Sequence, residues 1–172
     1  METINVLIVE DNEDHAESLK LVLQSRSEIR FVVETVHTLR DALIRIPKGG
    51  IDVVLLDLNL SDARGVSVVD TLNKATKDIG ILVLTGWGGD EIENPVRNAG
   101  ADDILHKPAN PFDISSKLQS IVIYRRNAKE KKEIESILKE MGTLIMRLSD
   151  LEDIKKDIIK DASLSGKLEI KR

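Results

Sequence analysis

Short apolar runs alternate with stretches of helical spacing along the first part of the chain. Ile4 to Val9 is the first run, interrupted only by Asn5, and Phe31 to Val36, Val53 to Leu56 and Ile79 to Thr85 follow. Ala101 to Leu105 is a shorter fifth. Runs this short, with β-branched residues, suit strands buried on both faces better than helices. Between them, Leu19, Val22 and Leu23, then Leu39, Ala42, Leu43 and Ile46, then Val66, Val69 and Leu72 recur with helical spacing. Asp14 or one of its neighbours is placed to cap the first helix. Thr38, with Asp41 three residues on, forms a capping-box-like pair for the second, which Pro47 and Gly49-Gly50 stop. Asn94-Pro95 predicts a helix starting there, with Asn94 as cap and Pro95 at the first position, and Gly100 ends it. Five strand–helix alternations predict an α/β fold, a doubly wound five-stranded parallel sheet with helices on both faces and right-handed crossovers.

The pattern changes after Pro111. Residues 111–162 contain no further proline and read as one long helix. Ile134, Met141 and Leu148 are spaced by seven, and Ile137, Leu144, Leu151 and Ile158 keep the same interval three residues later. This is an a/d register with Lys155 as its charged a position. Leu138, Ile145 and Ile159 widen the stripe, so a bundle contact fits as well as a two-stranded seam. An unbroken helix here is on the order of 75 Å long at 1.5 Å per residue. Such a helix needs another helix to cover its stripe, most simply its own copy, which predicts a homodimer through residues 128–162. A helix folded back on its parent domain, or a hairpin bent near Gly142, is the alternative. The expected organisation is a domain over residues 1–124 and a helical extension over residues 125–172, a coiled-coil or bundle dimerisation segment.

With 172 residues, 41% of them hydrophobic, the chain has material for one core and a tail. Aromatics are 2%, so that core is aliphatic. The absence of cysteine excludes a disulfide framework and thiolate metal sites, and fits a cytoplasmic setting. No signal peptide or membrane-length apolar run is visible. Residues 1–124 hold 12 Lys and Arg against 20 Asp and Glu, and residues 125–172 hold 13 against 10. An acidic body with a mixed-charge tail argues against a nucleic-acid partner. Within these 172 residues no helix-turn-helix or catalytic output pattern follows the first domain, so either the long helix is the output or it leads to a further domain.

The chemistry concentrates at strand ends. An open parallel sheet binds ligands beyond the carboxyl ends of its strands. There this chain places Glu10 and Asp11, Asp57, Thr85 and Lys107. Residues 10–14 carry four carboxylates in five positions, unfavourable unless a cation uses them. A carboxylate cluster with an open face suits a hard divalent cation such as Mg²⁺. With the charge neutralised, Asp57 is able to act as a nucleophile and form an aspartyl phosphate, while Thr85 and Lys107 bind the remaining phosphoryl oxygens. His15, His37 and His106 have no metal-like partner at useful spacing and read as surface residues.

These segments together are a signature. Val-Leu-Ile-Val-Glu10-Asp11-Asn12 comes first. Asp52-Val-Val-Leu-Leu-Asp57 follows, with Asp62 and Gly65 after it. Leu-Val-Leu-Thr85-Gly86 and Gly100-Ala-Asp-Asp-Ile-Leu-His-Lys107-Pro108 complete the set. In that order, residues 1–124 closely resemble the receiver domain of two-component response regulators. The resemblance implies a flavodoxin-like sheet of order 2-1-3-4-5. It implies Asp57 as phosphoacceptor from a phosphohistidine on a sensor histidine kinase or phosphotransfer protein. Glu10, Asp11, Asp57 and the backbone carbonyl of Asn59 would be the Mg²⁺ site, with Thr85 and Lys107 contacting the phosphoryl group. Such a protein is a phosphoacceptor and not an enzyme, beyond slow self-dephosphorylation.

Four departures from the family pattern stand out. Pro95 is expected to shorten or displace the helix before the last strand. Ile104 occupies a position usually aromatic, which implies an absent or altered rotamer switch. Ser61 replaces a frequent proline, which implies a looser loop. Trp87, two residues after Thr85, is placed either to shield the phosphoryl group or to sit exposed on a glycine-dense loop. The competing readings are a phosphate-independent dimeric interaction module, favoured by Ile104, and an aspartyl-nucleophile hydrolase, disfavoured because the chain is too small for a lid domain.

Overall fold

The computed structural model describes residues 3–25, 29–76, 78–86 and 90–168, with side chains 90, 162 and 164–168 outside the description. The chain divides into two compact units, Met1–Asn127 and Ala128–Arg172. In the first unit, strands β1 (Thr3–Val9), β2 (Arg30–Val36), β3 (Val53–Leu56), β4 (Gly80–Thr85) and β5 (Asp103–His106) form one sheet in the order 2-1-3-4-5, every pairing parallel. Helices α1 (Glu13–Gln24), α2 (Leu39–Arg45), α3 (Val66–Ala75), α4 (Asp90–Asn98) and α5 (Pro111–Leu168) alternate with them. No helix among the described residues is long and apolar enough to cross a membrane.

Strand alternation builds two cores. Ile4, Val6, Ile8, Val53, Leu55, Leu82 and Leu84 pack on one face with Leu19 and Leu23 of α1 and Ile114, Leu118 and Ile121 of α5. Leu7, Val9, Val54, Leu56, Ile81 and Val83 pack on the other with residues of α2, α3 and α4, among them Ala42, Leu72 and Val96. α5 approaches the sheet so closely that a β-carbon at Gly80 would collide with the Ile121 side chain. Glycine is the residue that allows this approach.

Local signals in the sequence act largely as expected. Thr38 caps α2, its hydroxyl accepting from the Asp41 N–H at 3.0 Å. Asn12 is the neighbour that caps α1, accepting from the His15 N–H at 2.8 Å. Pro95 is a correction. It lies inside α4, the sixth residue of a helix that begins at Asp90. A proline at the start was expected because it lacks the N–H needed deeper in a helix. The neighbouring Val96 is fully buried in the core, a packing gain that opposes the loss of one backbone bond. The helix still closes normally behind it, Ala99 N–H donating to the Pro95 carbonyl at 3.0 Å.

Asn5, the polar residue that interrupts the apolar run of β1, also has a structural purpose. Its N–H and its side-chain amide both donate to Asp52 Oδ2, at 2.8 and 2.9 Å, while Arg126 of α5 donates to Asp52 Oδ1 at 3.0 Å. Arg125 pairs with Asp102 at 2.9 Å, and Asp103 receives Arg97 at 2.9 Å together with Lys117. Charged pairs thus tie α4 and the sheet-packed part of α5 to the strands.

α5 continues unbroken through Gly142, which rules out the hairpin. Ile137, Leu144, Leu151 and Ile158 are each at least half exposed, as are Ile134, Met141 and Leu148. In the single chain the apolar stripe is therefore uncovered.

Burial alone would raise the carboxyls of Asp52 and Asp103. Hydrogen bonds from Asn5 and Arg126 to the first, and from Lys117, the Ile104 N–H and Arg97 to the second, reverse this and hold both below the usual carboxylate range. A carboxyl lowered in the folded state stabilises the fold above its unfolded pKa and loses that contribution as pH falls through its folded value. Thermal melts in an acidic pH series should show stability declining below the ordinary carboxylate range. Asp52→Asn and Asp103→Asn should make that decline shallower; slopes equal to that of the unaltered protein would show that these bonds do not set acid stability.

Candidate functional site

Two neighbouring strands deliver the acidic residues. β1 runs into Glu10 and Asp11, and β3 runs into Asp57. Val9 and Leu56 are register partners, and β2 lies on the other side of β1. The crossover direction therefore reverses between β1 and β3, which opens a crevice at their carboxyl ends. Backbone bonds fix both exits, Glu10 N–H to the Val36 carbonyl at 3.1 Å and Asp57 N–H to the Val9 carbonyl at 3.0 Å. Carboxylate oxygens of Glu10, Asp11 and Asp57 lie within 4.8 Å of one another. Glu10 is 3% exposed and Asp57 8%, whereas Asp11 is open to solvent.

Lys107 enters from the turn after β5. Its Nζ donates to Asp57 Oδ2 and to Glu10 Oε2, each at 2.8 Å. Its backbone N–H donates to the Thr85 carbonyl at 2.8 Å, so the ends of β4 and β5 hold each other in place. Burial pulls the Lys107 ammonium down, but the bonds to Asp57 and Glu10 more than compensate, and its pKa is raised. Lys107 therefore stays cationic. Three carboxyl groups face one ammonium, so acidic groups outnumber the cation in a notch that is open on the Asp11 side. An all-oxygen set of this kind fits a hard divalent cation such as Mg²⁺.

The flanking turns carry the other expected residues. Asn59 donates its N–H to Asp57 Oδ1 at 3.2 Å. Thr85 closes β4 and is buried. The loop that Ser61 was expected to loosen is tied down. Leu60 N–H reaches the Ala63 carbonyl, Gly65 N–H reaches the Leu58 carbonyl, and Asn59 bridges Arg64. Asp62 accepts the Leu39 and Arg40 N–H groups at 3.0 Å each, at the start of α2. Ile104 is 7% exposed and belongs to the core that contains Val83 and Val96. Trp87 lies outside the described residues.

Two histidines expected at the surface reach the site. His15 Nδ1 is 2.6 Å from Glu10 Oε2 and 3.3 Å from Lys107 Nζ. His37 Nδ1 is 2.9 Å from the Glu10 carbonyl oxygen. The signal for His15 was present. Side chains on a helix tilt toward its N-terminus, so a residue in the first turn of α1 points back at the preceding strand exit. His37 gave no such signal, because only the β1–β2 pairing brings its loop to Glu10. His106 pairs with Glu93 at 2.9 Å, away from the notch.

Removing the ammonium should expose the repulsion it offsets. Lys107→Met should lower stability in divalent-free buffer by about 1–3 kcal/mol, the usual scale for a lost charge-assisted hydrogen bond. Added Mg²⁺ should raise its melting temperature more than that of the unaltered protein. An unchanged melting temperature without divalent ion would refute this view of the charge balance.

A family model described as the response regulator receiver domain matches residues 6–119. Among curated proteins, the cell cycle response regulator CtrA of Brucella ovis is 35% identical over 121 residues, covering 69% of this chain and 50% of that protein. The chain thus spans about half the length of the curated relatives it matches. Among solved structures, a CheY-like receiver domain protein from Methanospirillum hungatei JF-1 aligns with a TM-score of 0.66 at 25% identity, covering 74% of this chain and 99% of that one. A response regulator protein from Burkholderia pseudomallei, with a phosphorylated aspartic acid, calcium ion and citrate, aligns with a TM-score of 0.61 at 29% identity, covering 77% and 74%. The matched segment contains every residue of the notch, and through it this chain belongs to the response regulator receiver domain family, a family of phosphoacceptors and not of classical enzymes.

Proposed function

We propose that this chain is a phosphorylation-dependent signalling switch. It takes a phosphoryl group onto Asp57 from a sensor histidine kinase or a phosphotransfer protein. The observation that carries this reading is the Lys107 ammonium placed between Asp57 and Glu10 beside a three-carboxylate cluster. The phosphorylated aspartic acid of the Burkholderia pseudomallei relative supports the same chemistry. An Asp57 carboxylate oxygen attacks phosphorus, the O–P bond forms as the P–N bond of the donor phosphoimidazole breaks, and the imidazole leaves with the electron pair. Lys107 and the Thr85 hydroxyl receive the phosphoryl oxygens. Mg²⁺, held by Glu10, Asp11, Asp57 and the Asn59 carbonyl, supplies charge neutralisation when bound.

The output reading rests on the extension. The exposed stripe of residues 128–162 supports a homodimer whose helices carry the signal to a protein partner. A second reading is a phosphate-independent dimeric scaffold. The buried Ile104 favours it, because no aromatic ring is available there to report on the site.

Incubation with Mg²⁺ and a small phosphodonor should add one phosphoryl group by intact mass, and Asp57→Asn should remain unshifted. No uptake by the unaltered chain would leave the scaffold reading in its place. Light scattering of the whole chain should give twice the monomer mass. A double variant, Leu144→Glu with Leu151→Glu, should give the monomer mass without loss of melting temperature, since both residues are exposed in the single chain. A monomeric unaltered chain would remove the dimer from the proposal.

A further inference from the structure

We infer that His15 is a positioning residue of the phosphorylation reaction: it keeps hold of Glu10 when Lys107 leaves for the phosphoryl group. This rests on Asp57 being the phosphoacceptor.

Glu10 is almost fully buried, so its carboxylate depends on protein donors. Oε1 has only a long contact from the Asn12 N–H, at 3.4 Å. Oε2 receives both Lys107 Nζ at 2.8 Å and His15 Nδ1 at 2.6 Å. A carboxylate only accepts, so Nδ1 carries the proton in this contact. The 3.3 Å separation of Nδ1 and Lys107 Nζ is then the approach of two donors to one oxygen. His15 and Lys107 share Glu10, and Lys107 alone also serves Asp57.

Phosphorylation adds roughly −1.5 to −2 charge at Asp57 and three acceptor oxygens, which draw the ammonium. Glu10 Oε2 then loses one of its two close donors. His15 remains because its backbone is anchored apart from Lys107. Its backbone N–H is bonded to the Asn12 side chain that caps α1. Its side chain borders an open pocket of about 390 Å³ whose lining also includes Leu19, Leu84, Lys107, Pro108 and Ile114. Without His15, Lys107 is the only close donor to Oε2 among the described residues, so both its release and the turning of Glu10 toward a cation become harder.

The test compares the whole chain with His15→Ala and His15→Asn, because asparagine places an amide N–H near the position of Nδ1. At saturating Mg²⁺, with phosphoramidate as donor, His15→Ala should be phosphorylated about tenfold more slowly, with little change in the half-saturating donor concentration. Calorimetry on the unphosphorylated protein should show weaker Mg²⁺ binding for His15→Ala. His15→Asn should recover most of both. Equal rates and Mg²⁺ affinities for His15→Ala and the unaltered chain would overturn this role. So would equal losses in the alanine and asparagine variants, which would mark His15 as a packing residue. Failure of the unaltered chain to take up phosphoryl would instead overturn the assignment of Asp57.

Discussion

Mutual repulsion among Glu10, Asp11 and Asp57 is the constraint that the site is built to hold. A parallel sheet has no choice about where these residues meet, because adjacent parallel strands end on the same side. The Lys107 ammonium is the protein's own answer. It spans 97 residues of sequence to reach Glu10 and 50 to reach Asp57. It neutralises only part of the cluster, so the notch keeps a need for further positive charge. That unmet need suits a site meant to take a divalent ion and an anionic group, and it would be a defect in a merely structural cluster.

The same sheet carries consequences of the site outward. Lys107 lies one residue beyond β5, and α5 begins four residues later at Pro111. Asp103 of β5 is gripped by Arg97 of α4 and Lys117 of α5, and Asp102 by Arg125. These pairs are partly exposed, so each contributes little to stability alone. Their effect is geometric, since they fix two helices to the strand that carries the site's cation. With aliphatic Ile104 packed into the core, such links, the backbone and the His15 contact from α1 connect the notch to the helices.

α5 meets two different demands along one continuous helix. Its first turns bury Ile114, Leu118, Ile121 and Val122 against the sheet. Counted back in sevens from Ile134 and Ile137, none of these four falls on an a or d position. The extension's stripe is thus not a continuation of the face that packs on the sheet. Gly142 does not interrupt the helix, in keeping with its modest cost of about 1 kcal/mol relative to alanine.

The sequence determined the elements, because apolar runs and helical spacing are local patterns, and caps such as Thr38 act within one turn. Through the resemblance it also specified the sheet order and the acidic residues. Where sequence reasoning slipped, a non-local term had outweighed a local one. Pro95 sits inside α4 because burial of Val96 depends on the assembled sheet. Beside Ser61, Asp62 finds the N–H groups of Leu39 and Arg40, more than twenty residues away in sequence. Only the tertiary structure decided that Lys107 bridges two particular carboxylate oxygens and that His15 and His37 attend Glu10. Such contacts depend on strand register and helix direction in space, to which spacing along the chain is blind.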